Sequence, residues 1–145
     1  MLKTTGTDVN TPWTDLPPLS SAVPTDWVTV EADFVLVIAV YLTHIAKDMI
    51  VAPSSRLNDG VIYLMLVRAP VSRTRLIRLY SAMQDGTAVN DPTAEVLRVR
   101  ACRLEPMSGG HRQGVLMVDG EQVDYGPIQA QVMPSMARVM TLPQD

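Results

Sequence analysis

"GVIYLMLVRAPVSRTRLIRLYSAM", residues 60–83, sets the two building blocks of the fold side by side. Val61 to Val67 is an apolar run of strand length, partly β-branched and aromatic. It follows Asn58-Asp59-Gly60, a turn signal, and reads as a strand covered on both faces. After Pro70 the period changes. Leu76, Leu79, Tyr80 and Met83 recur at i, i+3, i+4 and i+7, which predicts an amphipathic helix over about residues 72–85. Ser72 is placed to cap its start, and Gly86 to end it in the left-handed conformation. Arg75 and Arg78 fall to the side of the apolar stripe.

Upstream, "DWVTV" and "DFVLVIAVYLTH" are strand-like and bounded by acids. In the second, Leu36, Ile38 and Val40 share one side, while Val35, Val37 and Ala39 share the other. Downstream, "EVLRVRACRL" alternates, with Leu97, Val99 and Ala101 opposite Arg98 and Arg100, as in one strand with a wet face. "QGVLMV", "PIQAQVM" and "ARVMTL" complete the strand set. Many short strands and one helix favour a mainly β fold, an antiparallel β-sandwich or barrel-like domain with one prominent α-helix, the sandwich being the expectation. Residues 1–26 are rich in Pro, Thr, Ser and Asp and read as a tail or linker, leaving residues 27–142 as the folded domain.

The chain has 145 residues, 47% of them hydrophobic, with a net charge of -3. This suits one domain with a real core, speaks against general disorder, and gives no support to a nucleic-acid partner. No acid lies between Asp59 and Asp85, whereas Arg68, Arg73, Arg75 and Arg78 do. That window is either a solvated face or a contact for anionic headgroups or phosphate. Cys102 is the one cysteine, so no internal disulfide forms; its apolar neighbours place it in the core. No signal peptide is evident, and the longest apolar run, Phe34 to Leu42, falls short of the roughly 20 residues of a membrane span. The chain reads as soluble and cytoplasmic.

Enzyme signatures are scarce. His44 and His111 stand far apart with no cysteine pair, so no metal site is expected. There is no G-x-S-x-G, Walker loop or G-x-G-x-x-G. Asp119-Gly120-Glu121 admits two readings. Asp-Gly is a common hairpin turn. Two acids around a glycine can also hold a ribose hydroxyl, a metal–water cluster or an ammonium, with the glycine letting a ligand approach the backbone. The helix stripe likewise serves either as core or as the wall of a lipid pocket, and nine methionines suit either.

"DWVTVEADFVLVIAV", "GVIYLMLVRAPVSRTRLIRLYSAM", "CRLEP" and "GVLMVDGE", in that order, resemble the carboxy-terminal domain of sphingosine kinases, which are related to diacylglycerol and ceramide kinases. The resemblance covers about Val23 to Met140. "VRAPVSR" and the pair "RLEP…VDGE" are its more specific parts; "VDGE" is shared more widely. It implies an antiparallel sandwich that carries most of a lipid pocket, beside an amino-terminal domain with the nucleotide loops and a catalytic Asp in an SGDG or GGDG segment. Neither segment occurs here, so the resemblance implies that the catalytic residue and most of the ATP cradle belong to a missing amino-terminal kinase domain. It implies ATP with Mg2+ as cofactor in the complete enzyme, contacted from this chain by Asp119, Gly120 and Glu121. It places the lipid tail against Leu36, Ile38, Ile45, Met49, Met65, Leu76, Leu79, Tyr80 and Met83. Met65 and Tyr80 stand where phenylalanine is common, and a buried Tyr80 hydroxyl needs a partner. The expected partners are a sphingoid base, ATP, and a membrane surface bound peripherally and reversibly. A non-catalytic lipid-binding module and a fragment of a diacylglycerol or ceramide kinase are the alternatives.

Overall fold

The computed structural model describes residues 1–5, 15–107 and 114–140. In chain order the elements are β1 (Leu2–Thr4), β2 (Val28–Val30), β3 (Phe34–Val40), β4 (His44–Ala46), β5 (Met49–Ile50), β6 (Ile62–Arg68), α1 (Arg73–Gln84), a 3-10 turn (Thr87–Asn90), β7 (Ala94–Val99), β8 (Ala101–Leu104), β9 (Leu116–Val118), β10 (Glu121–Val123) and β11 (Ile128–Gln131). The strands form a four-stranded sheet, β11-β8-β1-β2, a three-stranded sheet, β3-β6-β7, and two hairpins, β4-β5 and β9-β10. All pairings are antiparallel. The mainly β fold with one helix is as the sequence implies.

β6 is the centre of the molecule, with Ile62 to Val67 all buried. Its alternation feeds two cores. Ile62, Leu64 and Leu66 face the four-stranded sheet, where Leu2, Val30, Cys102 and Leu104 meet them in one cluster. Met65 and Val67 face α1 and pack with Val51, Leu79, Met83 and Ala88. Register carries this division across the sheet: Met65 pairs with Ile38 on one side and Val96 on the other, and Leu66 with Val37. A bulge between Phe34 and Leu36 shifts the register, so Phe34 packs into the sandwich cluster although Leu36 packs towards the helix.

Three expectations need correction. First, Leu2–Thr4 belongs not to a tail but to a strand between β2 and β8, with Leu2 fully buried. The Pro-rich segment behind it also packs: Pro17, Pro18 and Ser21 give their carbonyls to the buried Arg103. Proline breaks regular structure but keeps its acceptor, so a Pro-rich stretch can lie on a donor. Second, "EVLRVRACRL" is two strands in different sheets. The chain turns the corner at Arg100, which is buried, not wet; its N–H and that of Ala101 both donate to Thr5 Oγ1, each at 3.0 Å. Third, Ala137 to Met140 form no strand; among the described residues no neighbour pairs with them. Thr141 and Leu142, the end of that expected strand, lie outside the described residues, as does His111.

Candidate functional site

The helix forms where the sequence places it. Ser72 Oγ accepts from the Arg75 N–H at 3.2 Å, and Gly86 follows the last turn at φ +75. The face it buries differs by one residue. At about 100° per residue, Leu76, Leu79 and Met83 lie within roughly 60° of each other, and Tyr80 is about 100° from Leu79. The sheet takes the Leu79 side. Leu79 and Met83 are fully buried, whereas Tyr80 is 47% exposed, so its hydroxyl needs no buried partner.

Seven of the nine proposed tail contacts meet in one place. Met65, Leu79 and Met83 lie in the helix-side cluster, with Leu36, Ile38, Met49 and Leu76 packed against it. Ile45, on β4, is 47% exposed and stands apart with Tyr80. The cluster is closed to solvent: Val51, Met65, Val67, Leu79, Met83 and Ala88 have no exposure. Three of the seven are methionines, unbranched side chains that change shape at little cost.

Asp119-Gly120-Glu121 is a hairpin turn. Val118 pairs with Glu121, and the two residues between them take φ +50 and φ +86. Positive φ at both central positions is the geometry whose twist matches the strands, and it selects Asp-Gly. All three residues are exposed, and a Cβ on Gly120 would meet nothing within 4 Å. This donor set fits one edge of a nucleotide site, two carboxylates able to take hydroxyls or a cation's water beside an open backbone. Among the described residues no three His, Cys, Asp or Glu gather as metal ligands.

Sequence reasoning missed a groove of about 670 Å³ between the edge strand β3 and the β9–β10 hairpin. Asp33 to Val37, Leu104, Gly114 to Met117 and Tyr125 line it. It needs two distant segments side by side, which no local period reveals. The arginine window also divides. Arg68 pairs with Glu95 at 2.7 Å, and Arg75 reaches Thr93 and Asp91 at 2.6 and 3.2 Å, tying the helix to the approach to β7. Thr93, through side chain and backbone, and then Arg75 hold the Asp91 carboxyl below its ordinary range. Cys102 sits in the sandwich core, where burial pushes its thiol up to about 11.

The family profile described as "YegS C-terminal NAD kinase beta sandwich-like domain" matches residues 13–141. The chain belongs to that family. The match begins inside the Pro-rich segment that packs on Arg103. Among curated relatives, "Sphingosine kinase 2" of Homo sapiens is 45% identical over 130 residues, 88% of this chain and 19% of the relative. "Sphingosine kinase 1" of Mus musculus is 42% identical over 125 residues, 84% of this chain and 32% of the relative. "Sphingosine kinase B" of Dictyostelium discoideum is 31% identical over 101 residues, 68% of this chain and 13% of the relative. The chain thus spans between 13% and 32% of the length of these relatives and corresponds to a lipid-kinase carboxy-terminal domain.

Proposed function

We propose that this domain is the lipid-binding portion of a sphingosine kinase, the enzyme that moves the ATP γ-phosphate to the primary hydroxyl of sphingosine or sphinganine and so makes the 1-phosphate. The observation that carries the reading is the gathering of Leu36, Ile38, Met49, Met65, Leu76, Leu79 and Met83 between helix and sheet. In this reading the sphingoid tail enters that cluster by displacing methionine side chains. Each methylene it buries contributes about 0.8 kcal/mol. The tail fixes the hydroxyl, and transfer then depends on positioning against the γ-phosphate. Asp119, Gly120 and Glu121 supply one edge of the site for ATP and Mg2+. The remaining contacts come from the kinase segment that precedes this domain in its family. The enzyme works in the cytoplasm and meets its substrate at a membrane surface.

Titration of the chain with sphingoid bases of increasing tail length tests the tail slot. Saturable binding is expected, tightening with each methylene until the slot is full. Affinity independent of tail length, or no saturation, would refute it. Joined to a family amino-terminal domain, the chain is expected to support ATP-dependent phosphorylation, and Glu121→Ala is expected to raise the KM for ATP. An unchanged KM removes Glu121 from the nucleotide site.

A further inference from the structure

Asp-Gly occurs three times in the chain, at 59–60, 85–86 and 119–120. Glycine has no side chain to shield its amide nitrogen, so that nitrogen can attack the carboxyl carbon of the preceding Asp when the backbone lets the two meet. The fold treats the three pairs differently. Asp59 Oδ2 accepts from the Arg56 N–H and the Tyr63 hydroxyl, each at 3.0 Å, and its Oδ1 from the Val61 N–H at 3.2 Å. Asp85 Oδ1 accepts from the Thr87 hydroxyl at 2.6 Å and the Thr87 N–H at 3.0 Å, and Gly86 lies against Ile50. Asp119 has no hydrogen-bond or ion-pair partner among the described residues. It and Gly120 are exposed, with open space around the glycine. Their hairpin, β9-β10, is bonded to no third strand. A two-stranded ribbon alone is marginal in water, so this turn opens more readily than one anchored in the core.

We propose that Asp119-Gly120 is a modification site, where Asp119 isomerises spontaneously to isoaspartate while Asp59 and Asp85 are held in place. The Gly120 nitrogen bonds to the Asp119 carboxyl carbon. One carboxyl oxygen leaves as water, taking the amide proton and the proton of the neutral acid. Water then opens the five-membered imide at either carbonyl. Opening at the side-chain carbonyl restores Asp; opening at the main-chain carbonyl routes the backbone through the side chain and leaves a free carboxylate on Cα. The total mass is unchanged, and no oxidant or second substrate is consumed. At Asp85 the Thr87 bonds favour the ionised carboxylate, the form that does not lose water. The product backbone is one carbon longer, so Val118 and Glu121 lose their register across the turn. An enzyme that methylates isoaspartyl carboxylates, and so starts their repair, is the partner this chemistry fits. A cost to nucleotide binding rests on the reading of the triplet as one edge of the ATP site; the covalent change does not.

The test is ageing of the chain in oxygen-18 water at mildly acidic pH, followed by tryptic mapping with mass spectrometry. Each opening of the imide fixes one heavy oxygen, and trypsin places the three pairs on different peptides. Electron-transfer fragmentation tells isoaspartate from Asp. In the folded chain, label and isoaspartate at Asp119 should exceed those at Asp59 and Asp85 by at least about tenfold, the worth of one bond to a carboxylate. In concentrated urea the three pairs should converge, because only the fold separates them. Asp119→Glu should clear the signal from its peptide, since the larger ring closes slowly. Equal labelling in the folded chain, no isoaspartate at Asp119, label that persists in Asp119→Glu, or the same ranking in urea overturns the proposal. None of these readouts involves nucleotide, so a failure of the ATP reading leaves them standing.

Discussion

Arg103 is 1% exposed, and its side chain is the strongest single tie between the Pro-rich segment and the sheet. Its Nη1 donates to the Ser21 carbonyl at 2.6 Å, and its Nη2 to those of Pro17 and Pro18, each at 3.1 Å. Nε and Nη2 also donate to Gln129 Oε1, at 3.0 and 2.8 Å, while Gln129 Nε2 returns to the Pro17 carbonyl at 2.9 Å. Replacing Arg103 by Met keeps most of the volume and removes every donor. Each bond to a charged group is worth about 1.5–3 kcal/mol net, but these share one desolvation cost and do not add. Losing one member of such a buried network costs about 3–5 kcal/mol. At about 2–4 °C per kcal/mol for a chain near this size, the melting midpoint should fall roughly 10–15 °C. The same variant should expose residues 15–21 to proteolysis and speed their amide exchange before the rest of the domain. Arg103→Lys should lie between, since an ammonium cannot fork to three carbonyls. A Met variant within about 1 kcal/mol of the parent in urea, with that segment still protected, would refute the strap.

Cys102 gives a pH prediction. Its thiol is held up to about 11 by burial, against 9.0 for the free group, so the folded state keeps a proton that the unfolded state releases. The stability it supports is fully present below pH 9 and is lost as pH rises towards 11, a total on the order of 3 kcal/mol. Tyr63, raised by burial and next by its bond to Asp59, slopes the same way, so the difference between parent and Cys102→Ala isolates the thiol; equal slopes would refute it. Gly120→Ala should destabilise the domain by about 1–2 kcal/mol, because φ +86 excludes a Cβ, whereas Glu121→Ala should stay within about 0.5 kcal/mol. Urea midpoints read both, and an innocuous Gly120→Ala would remove the turn geometry argued above.

Much of the fold was legible because its signals are local. The run of β6, the Ser72 cap, the stop at Gly86 and the Asp-Gly turn each fix backbone within a few residues. What stayed hidden depends on distant partners. Leu2-Lys3-Thr4 has no strand signature of its own; it is a strand because β2 and β8 leave a slot between them. The alternation through Arg98 and Arg100 continues unbroken in sequence, and only Thr5, brought in by that same strand, turns the chain at Arg100. The amino terminus and the strand corner were therefore misread for one reason, a contact nearly a hundred residues long in sequence.

The candidate site was legible to the extent that it repeats the core. Leu36, Ile38 and Met65 lie on one side of two paired strands, so period-2 reasoning alone places them together. Leu76, Leu79 and Met83 follow from helical period in the same way. Ile45, on the exposed strand β4, and Tyr80, off the buried side of the helix, stand outside the cluster, because apolar character alone does not decide burial. A slot for a hydrocarbon tail must be as apolar as a core yet able to open, and three methionines meet the first demand without the stiffness of β-branched residues. On the same helix Ile77 and Tyr80 open to solvent instead. The inner face of the helix is thus closed by β6 in the folded domain, and the methionines gather there, on the side that a tail would have to open.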